Sequence, residues 1–211
     1  FTVQLPKVMT NHEAREVQLE MALHVTRALN NGEVAILEAG TGTGKSLAYL
    51  VPAVLWATQN QSKITIATFT INLQSQLVTA DIPILQAAGL DFRFALLKGR
   101  SNYICRRRLK ERFQRDPKAP NLKNIVRYAE QSQEGTRSDI PFSVAEDIWD
   151  DVGSDHDQTL RARCPHYEDC FYYQARRKAA DAQLLIVNHH LLLADMLVKK
   201  YGCFDFVWFD C

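Results

Sequence analysis

Residues 33–50, EVAILEAGTGTGKSLAYL, decide the fold that the sequence predicts. An apolar run, Val34 to Leu37, is followed by a Gly/Thr-rich turn and then by Lys45-Ser46 at the start of an apolar helical pattern. Strand, glycine-rich turn and helix in this order are typical of a phosphate-binding loop, here with Ala39 in place of the usual first glycine. Glycines in the turn can adopt positive φ, so that backbone N–H groups converge on anionic oxygens at the positive end of the helix.

The same loop predicts a nucleotide site. Lys45 is expected to reach the β- and γ-phosphates, and the Ser46 hydroxyl to ligate Mg²⁺. The residues expected around the triphosphate are Gly40, Thr41, Gly42, Thr43, Gly44, Lys45 and Ser46. Arg15 and Gln18 lie just ahead of the loop on a predicted helix at 11–30, and the Gln18 amide can offer adenine both a donor and an acceptor. The alternatives are a glycine-rich turn that binds nothing and a solvated Arg–Gln pair.

Composition describes an ordinary soluble protein with a local basic region. The 211 residues hold 25 Lys and Arg against 24 Asp and Glu, a net charge of +1, so there is no global nucleic-acid signature. Residues 98–118 are basic and residues 139–157 acid-rich, which predicts either a local basic surface or a solvated charged helix. No stretch approaches the roughly 18 consecutive apolar residues of a membrane helix, and no signal pattern is present. We expect no membrane association and a reducing, cytoplasmic location, where the five cysteines are thiols or metal ligands.

The rest of the chain alternates between predicted helices and strands, which indicates an α/β fold. The strand candidates are 34–37, 64–67, 92–97, 184–187 and 206–209. This alternation predicts a parallel sheet covered on both faces, with its strand-end loops gathered at one carboxyl edge. Those loops are residues 39–46, 68–72 and 98–103. Asp210 ends the last strand candidate, where an NTPase holds its Mg²⁺-binding acid.

Residues 105–180 interrupt this alternation. They contain a basic helix, a long polar region and the segment CPHYEDC at 164–170, before sheet-like sequence resumes near Leu184. We therefore divide the chain into residues 1–104, an insertion at 105–180, and residues 181–211.

Six segments carry a family resemblance: Arg15-x-x-Gln18, EAGTGTGKS (38–46), TFTINLQSQL (68–77), LLKGRSNYIC (96–105), RCPHYEDCF (163–171) and IVNHHLLLADM (186–196). Together they resemble the DinG-type DNA helicases, in the XPD-like branch of helicase superfamily 2, and within that group the YoaA-like bacterial proteins. The resemblance implies the N-terminal portion of such a helicase. Its fold would be a RecA-like P-loop domain with a parallel sheet, interrupted by a small, mostly helical iron–sulfur-type insertion.

The resemblance also implies a function and its residues. It implies ATP-dependent unwinding of DNA by 5′ to 3′ translocation on a single strand, with ATP and Mg²⁺ as cofactors. Gln18 would contact adenine, Lys45 and Asp210 would be catalytic, and Ser46 and Asp210 would hold Mg²⁺. The residues expected to contact single-stranded DNA are Thr68, Thr70, Gln74, Lys98, Arg100 and Tyr103. The last three belong to the basic stretch, which would bind through phosphate contacts and stacking.

The cysteines depart from the family pattern. Family members with a [4Fe–4S] cluster supply four cysteines; Cys105, Cys164 and Cys170 match three of them, and Thr159 stands at the fourth position. His156, Asp157 or an exogenous ligand would have to complete the set. The alternatives are a vestigial cluster domain, which is reminiscent of the DinG-like helicases of type IV CRISPR systems, and, less favoured, a zinc site that uses His166.

The second departure follows Asp210. Family members have Asp-Glu-Ala-His at this point, whereas in this chain Asp210 is followed by Cys211. Either the glutamate that positions the attacking water is replaced, or the sequence stops short or is altered there. The second RecA-like domain lies outside this sequence, so the segment alone is not expected to unwind DNA. Rival interpretations are a P-loop ATPase acting as a nucleotide switch and a DNA-binding module with decayed ATPase. Beyond single-stranded DNA, the expected partners are a loading factor or a CRISPR ribonucleoprotein, with the protein itself a monomer.

Overall fold

The structure is a computed structural model that describes residues 5–9, 15–198 and 206–210. The chain forms two compact units, residues 1–96 with 179–211 and residues 97–178. The first boundary lies at 97 rather than at 105, because Tyr103 and Ile104, each 1% exposed, are part of the core of the second unit.

Ten α-helices and four strands are assigned in the described residues. In chain order the helices are α1 (Leu5–Val8), α2 (Glu16–Asn31), α3 (Lys45–Gln59), α4 (Ile71–Gln76), α5 (Ile82–Ala87), α6 (Arg106–Arg115), α7 (Leu122–Gln131), α8 (Glu146–Val152), α9 (Phe171–Asp181) and α10 (His189–Val198). The strands are β1 (Ile64–Thr68), β2 (Phe94–Leu96), β3 (Leu184–Asn188) and β4 (Phe206–Asp210). A π-helical segment, Leu77–Asp81, joins α4 to α5.

The four strands form one parallel sheet in the order β2-β3-β1-β4. All five residues of β1 are buried, as are the first four of β3. Continuously buried strands of this kind are typical of a parallel sheet with both faces covered. The predicted α/β fold with a parallel sheet is confirmed.

The segment 34–37, predicted as the strand before the phosphate loop, is not a strand in the structure. Val34 is 95% exposed and Ile36 is 96% exposed, while Leu37 and Ala39 pack against the core of the first unit. A strand requires a neighbour to pair its backbone groups, and no described segment pairs with these residues. The prediction of a strand here is therefore wrong for the described chain.

Helix α3 positions the loop that precedes it. Leu50, Ala53 and Val54 of this helix are at most 3% exposed and pack in one cluster with Ile66 and Ile186 of the sheet. A short turn connects the end of α3 to the start of β1, so the helix runs back along the sheet. The start of α3 therefore lies toward the edge where the parallel strands end.

The second unit is mostly helical and has its own hydrophobic core. Leu122, Ile125, Val152 and Phe171, from three different helices, are at most 2% exposed. Isolated bridges between 103 and 136 and between 104 and 153 join its entry segment to later parts of the unit. In the part of the chain that the structure describes, no helix has the length and apolar character needed to span a bilayer.

Candidate nucleotide site and strand-end loops

The loop before α3 has the backbone geometry of an anion-binding nest. Gly42 has φ 75° and Gly44 has φ 80°, both in the left-handed region that favours glycine. Gly44 is the N-cap of α3, and no side chain caps the helix start. The N–H groups of the first turn are therefore not taken by a capping side chain, and the positive end of the helix dipole faces the loop. This arrangement suits a phosphate.

Arg15 and Gln18, at the start of α2, hydrogen-bond to the backbone of this loop. A guanidinium nitrogen of Arg15 donates to the Gly42 carbonyl, and Gln18 Nε2 donates to the Gly44 carbonyl at 3.0 Å. Gln18 is 6% exposed, and an added Cβ at Gly44 would lie 2.2 Å from its Nε2. The φ of position 44 therefore favours glycine, and a methyl group there would displace the Gln18 amide from the Gly44 carbonyl.

Lys45 reaches back across the loop. Its Nζ donates to the Ala39 carbonyl at 2.9 Å, and Thr43 Oγ1 donates to the Gly40 carbonyl at the same distance. The lysine ammonium therefore lies beside the first residue of the loop although it belongs to α3. A triphosphate in the nest would present oxygens that compete with this carbonyl for the ammonium protons.

Two oxygen ligands were predicted for Mg²⁺. Ser46 lies in the first turn of α3, and Asp210 ends β4 with its backbone in register with Thr68 of β1. No group of three or more His, Cys, Asp or Glu side chains arranged for a metal ion occurs in the described residues. Mg²⁺ in nucleotide sites needs few protein oxygens because phosphates and waters supply the rest, so the Ser46 hydroxyl fits the chemistry of this ion.

The three DNA-contacting residues predicted at the end of β1 and in the segment after it differ in their exposure. Thr68 is fully buried and Gln74 is 3% exposed. Thr70 is exposed, and its Oγ1 caps α4 by accepting from Leu73 N at 3.2 Å. Exposed polar side chains on α4 are instead Asn72, Ser75 and Gln76. A phosphate approaching this loop would meet Thr70 and the exposed face of α4 rather than Thr68 or Gln74.

Phe69 is a surface feature that the sequence interpretation missed. It is 70% exposed directly after β1, and its ring lies 6.1 Å from the ring of His189, the first residue of α10. An aromatic residue between two threonines at a strand end could have been singled out, because exposed aromatic rings beside polar loops are the usual stacking surfaces for bases.

The DNA-contacting residues predicted in the basic stretch belong to the second unit, and their side chains contact other residues of that unit. Lys98 Nζ lies 3.0 Å from Thr136 Oγ1 and 3.4 Å from Asp139 Oδ1. The Arg100 guanidinium stacks 3.9 Å from the centre of the Tyr172 ring. Tyr103 is 1% exposed, and burial raises the pKa of its hydroxyl, which accepts from Lys98 N. The Tyr103 ring has no open face for a base, so stacking by Tyr103 has no support in the structure.

The described part of the chain holds three cysteines, one short of a four-thiolate site. Cys105, Cys164 and Cys170 are half-buried free thiols of the second unit, and burial raises the pKa of Cys170. Thr159, at the fourth position, lies 3.4 Å from a guanidinium nitrogen of Arg100. A cluster of four irons normally takes four thiolates, so the donor set does not fit. The two suggested substitutes lie beside each other, with His156 Nδ1 3.3 Å from Asp157 Oδ1. His166, suggested for a zinc site, lies 3.4 Å from Asp169 Oδ2.

Several known proteins match this chain. The YoaA ATP-dependent DNA helicase of Escherichia coli is 42% identical over 206 residues, covering 94% of the chain and 32% of the relative. Its Haemophilus influenzae namesake is 36% identical over 208 residues, with the same coverage. The DinG ATP-dependent helicase of Mycobacterium tuberculosis is 36% identical over 210 residues, covering 88% of the chain and 32% of the relative. No protein-family model matches the chain.

The sheet, the glycine-rich loop and the helix that follows it define an α/β protein of the P-loop class. Within that class the chain is DinG/YoaA-like, and the family resemblance predicted from the motifs is confirmed. The chain spans about a third, 32%, of the length of these relatives. Their names give no support to the CRISPR-associated subfamily.

Proposed function

We propose that this chain is the RecA-like P-loop domain, with its insertion, of an ATP-dependent DNA helicase. The observation that carries the proposal is the nest formed by Gly42 and Gly44 at the uncapped start of α3. The identities to helicases named YoaA and DinG support the same activity. The 5′ to 3′ polarity belongs to the proposal through the family resemblance.

In this proposal the chain stabilises charge on the transferring phosphoryl group. Lys45 exchanges the Ala39 carbonyl for phosphate oxygens, and the uncapped N–H groups of α3 bind the same anion. Ser46 and Asp210 would hold Mg²⁺, which would offset the negative charge of the phosphates. Gln18 keeps Gly44 in place, and adenine contact by Gln18 stays a prediction.

Single-stranded DNA is proposed to lie along the exposed face of α4 and the loop after β1. Thr70 and the polar residues Asn72, Ser75 and Gln76 offer donors and acceptors for phosphates, while Phe69 offers a ring for a base. Lys98 and Arg100 remain proposed contacts of the second unit, available only if they exchange the partners described above.

Strand displacement in the full-length protein tests this function. The substrate is a duplex with a single-stranded tail of either polarity, and the variant is Lys45→Ala. Wild type is expected to displace a strand only with ATP and Mg²⁺ and only from a 5′ tail, and the variant to displace none. ATP hydrolysis without displacement would instead support the nucleotide-switch alternative. DNA binding without hydrolysis would support the decayed module.

We propose that residues 97–178 are the counterpart of the family's iron–sulfur insertion and fold on a protein core rather than around a cluster. The apolar core of the unit supports this, as do cation–π contacts such as Arg106 over Phe171 at 4.1 Å. Iron analysis of anaerobically purified full-length protein tests it. We expect no stoichiometric iron; about four irons per chain would contradict the proposal.

A further inference from the structure

Phe69 and His189 leave the sheet side by side. Phe69 directly follows β1 and His189 directly follows β3, and the two strands pair in parallel and in register up to their last residues, Thr68 and Asn188. Parallel strands that end in register place the residues that follow them at the same edge of the sheet. The fold therefore brings together two rings that are far apart in the sequence.

The backbone around Phe69 is held on both sides. The Thr68 hydroxyl, fully buried, donates to the Thr70 carbonyl at 3.3 Å, and Thr70 Oγ1 accepts from Leu73 N at 3.2 Å. Phe69 itself is 70% exposed between these two threonines. Single exposed apolar side chains are ordinary on a protein surface, but this one stands on a fixed backbone and has a second ring beside it.

The His189 ring is anchored to the sheet. Its Nε2 lies 3.1 Å from the carbonyl oxygen of Ala67, a fully buried residue of β1. Because a carbonyl can only accept, Nε2 carries a proton and donates it. Asn188 Oδ1 accepts from Leu191 N at 2.7 Å and so fixes the start of α10. The imidazole is therefore tied to the strand that ends just before Phe69.

The two rings contact each other without stacking in parallel. Their centres are 6.1 Å apart and their planes are inclined by 52°, which is within the range of attractive aromatic pairs. Most of the Phe69 ring stays exposed in this arrangement. An exposed side chain that is free to rotate loses entropy when a ligand immobilises it. A ring already held by His189 loses less, so its open surface is prepared for binding.

The open ring and its polar neighbours fit a single strand of nucleic acid. Every nucleobase has a flat face that can stack on an aromatic side chain, whatever the sequence. Thr70 and the exposed residues Asn72 and Ser75 of α4 offer hydrogen bonds to phosphates. A base inside a duplex already stacks on its neighbours, so the ring favours an unpaired base. An apolar peptide would leave the polar groups unused.

We propose that Phe69 and His189 form a preorganised stacking site for one unpaired base of single-stranded DNA. Phe69 stacks on the base, and His189 is a positioning residue that holds the Phe69 ring. The proposal rests on the proposed function, because it needs DNA along α4 and the loop after β1. It adds a residue of α10 to that surface and makes part of the affinity depend on one base rather than on phosphates alone.

The first test removes the base. Binding to the full-length protein is measured by fluorescence anisotropy with the shortest oligothymidylate that binds at full affinity, and with oligonucleotides in which an abasic analogue replaces one nucleotide at a time. In wild type, one abasic position is expected to weaken binding about tenfold. Phe69→Ala is expected to weaken binding of the intact strand by about the same factor, and to be insensitive to the abasic analogue at that position.

The second test separates the ring of His189 from its hydrogen bond. His189→Ala is expected to weaken binding about fivefold, because DNA must then order the Phe69 ring. In the Phe69→Ala background the same change should have no further effect. His189→Phe keeps a ring and should bind more tightly than His189→Gln, which keeps only a donor for the Ala67 carbonyl. Leu23→Ala, the loss of a 60% exposed apolar side chain of α2, is the matched control and should bind as wild type does.

Additive losses from Phe69→Ala and the abasic analogue would overturn the proposal. Wild-type affinity in His189→Ala or His189→Gln would also overturn it, and His189→Phe and His189→Gln decide the matter if His189→Ala does not fold. Failure of the proposed function is distinct. If wild type binds no oligothymidylate, the DNA surface itself is rejected, and this site with it. If Lys45→Ala hydrolyses ATP as wild type does, only the nucleotide site is rejected.

Discussion

Gly44→Ala is the substitution whose effect the structure determines most closely. A left-handed backbone costs an alanine about 1–2 kcal/mol relative to glycine, and Gly44 has φ 80°. The new Cβ would also lie 2.2 Å from Gln18 Nε2, so the Gln18 amide must leave the Gly44 carbonyl, which costs about 1 kcal/mol more. Together these terms predict a loss of about 2–3 kcal/mol in nucleotide binding, or about 30- to 150-fold in Kd.

The assay is titration of a fluorescent ATP analogue with Mg²⁺ into the full-length protein. Gln18→Ala alone should weaken binding about fivefold, because only one hydrogen bond is lost. In the Gln18→Ala background, no amide obstructs the new methyl group. Gly44→Ala should then cost only the free energy of placing alanine in a left-handed backbone conformation, about 1–2 kcal/mol. Binding by Gly44→Ala within twofold of wild type would refute the loop geometry. If Gly44→Ala weakened nucleotide binding equally with and without the Gln18 side chain, the proposed steric clash with Gln18 would be refuted.

Two further predictions concern the surface at β1 and the second unit. Phe69→Ala should weaken binding of a fluorescent oligothymidylate to the full-length protein by about 1–3 kcal/mol, the value of one base stack. Phe69→Trp should retain the binding. Equal affinity of the Ala and Trp variants for the oligothymidylate would exclude stacking. Asp139→Asn should cost about 0.5–1 kcal/mol in urea unfolding at neutral pH, because Asp139 is half exposed. Burial alone would raise the pKa of Asp139. Hydrogen bonds from Thr136 and Ser138 and the charge of Lys98 outweigh burial, so the pKa is lowered. Its stabilisation is therefore present above the unfolded pKa near 3.8 and is lost as pH falls through the folded pKa. If Asp139→Asn lowered the free energy of unfolding as much in acid as at neutral pH, this assignment would be contradicted.

The sequence predicted those elements whose pattern is local. The apolar repeat of α3 and the β-branched residues of β1 determine helix and strand without reference to distant partners. The segment 34–37 has an equally apolar pattern but is not a strand in the structure. Pairing depends on a neighbouring strand, which the residues of the segment itself do not encode.

Roles of individual site residues were harder to predict because burial depends on packing. Tyr103 follows a polar run and suggests a surface ring, yet the core of the second unit encloses it. Thr68 and Gln74 lie in the segment expected to contact DNA, but both are buried in the first unit.

The central claim is that the loop ending at Lys45 and Ser46 binds a Mg²⁺-bound triphosphate whose hydrolysis responds to single-stranded DNA. The most direct measurement is ATP hydrolysis by the full-length protein, with and without an oligothymidylate, in wild type and Lys45→Ala. We predict hydrolysis that the oligonucleotide stimulates in wild type and that falls to background in the variant. Equal hydrolysis by the two proteins would contradict the claim.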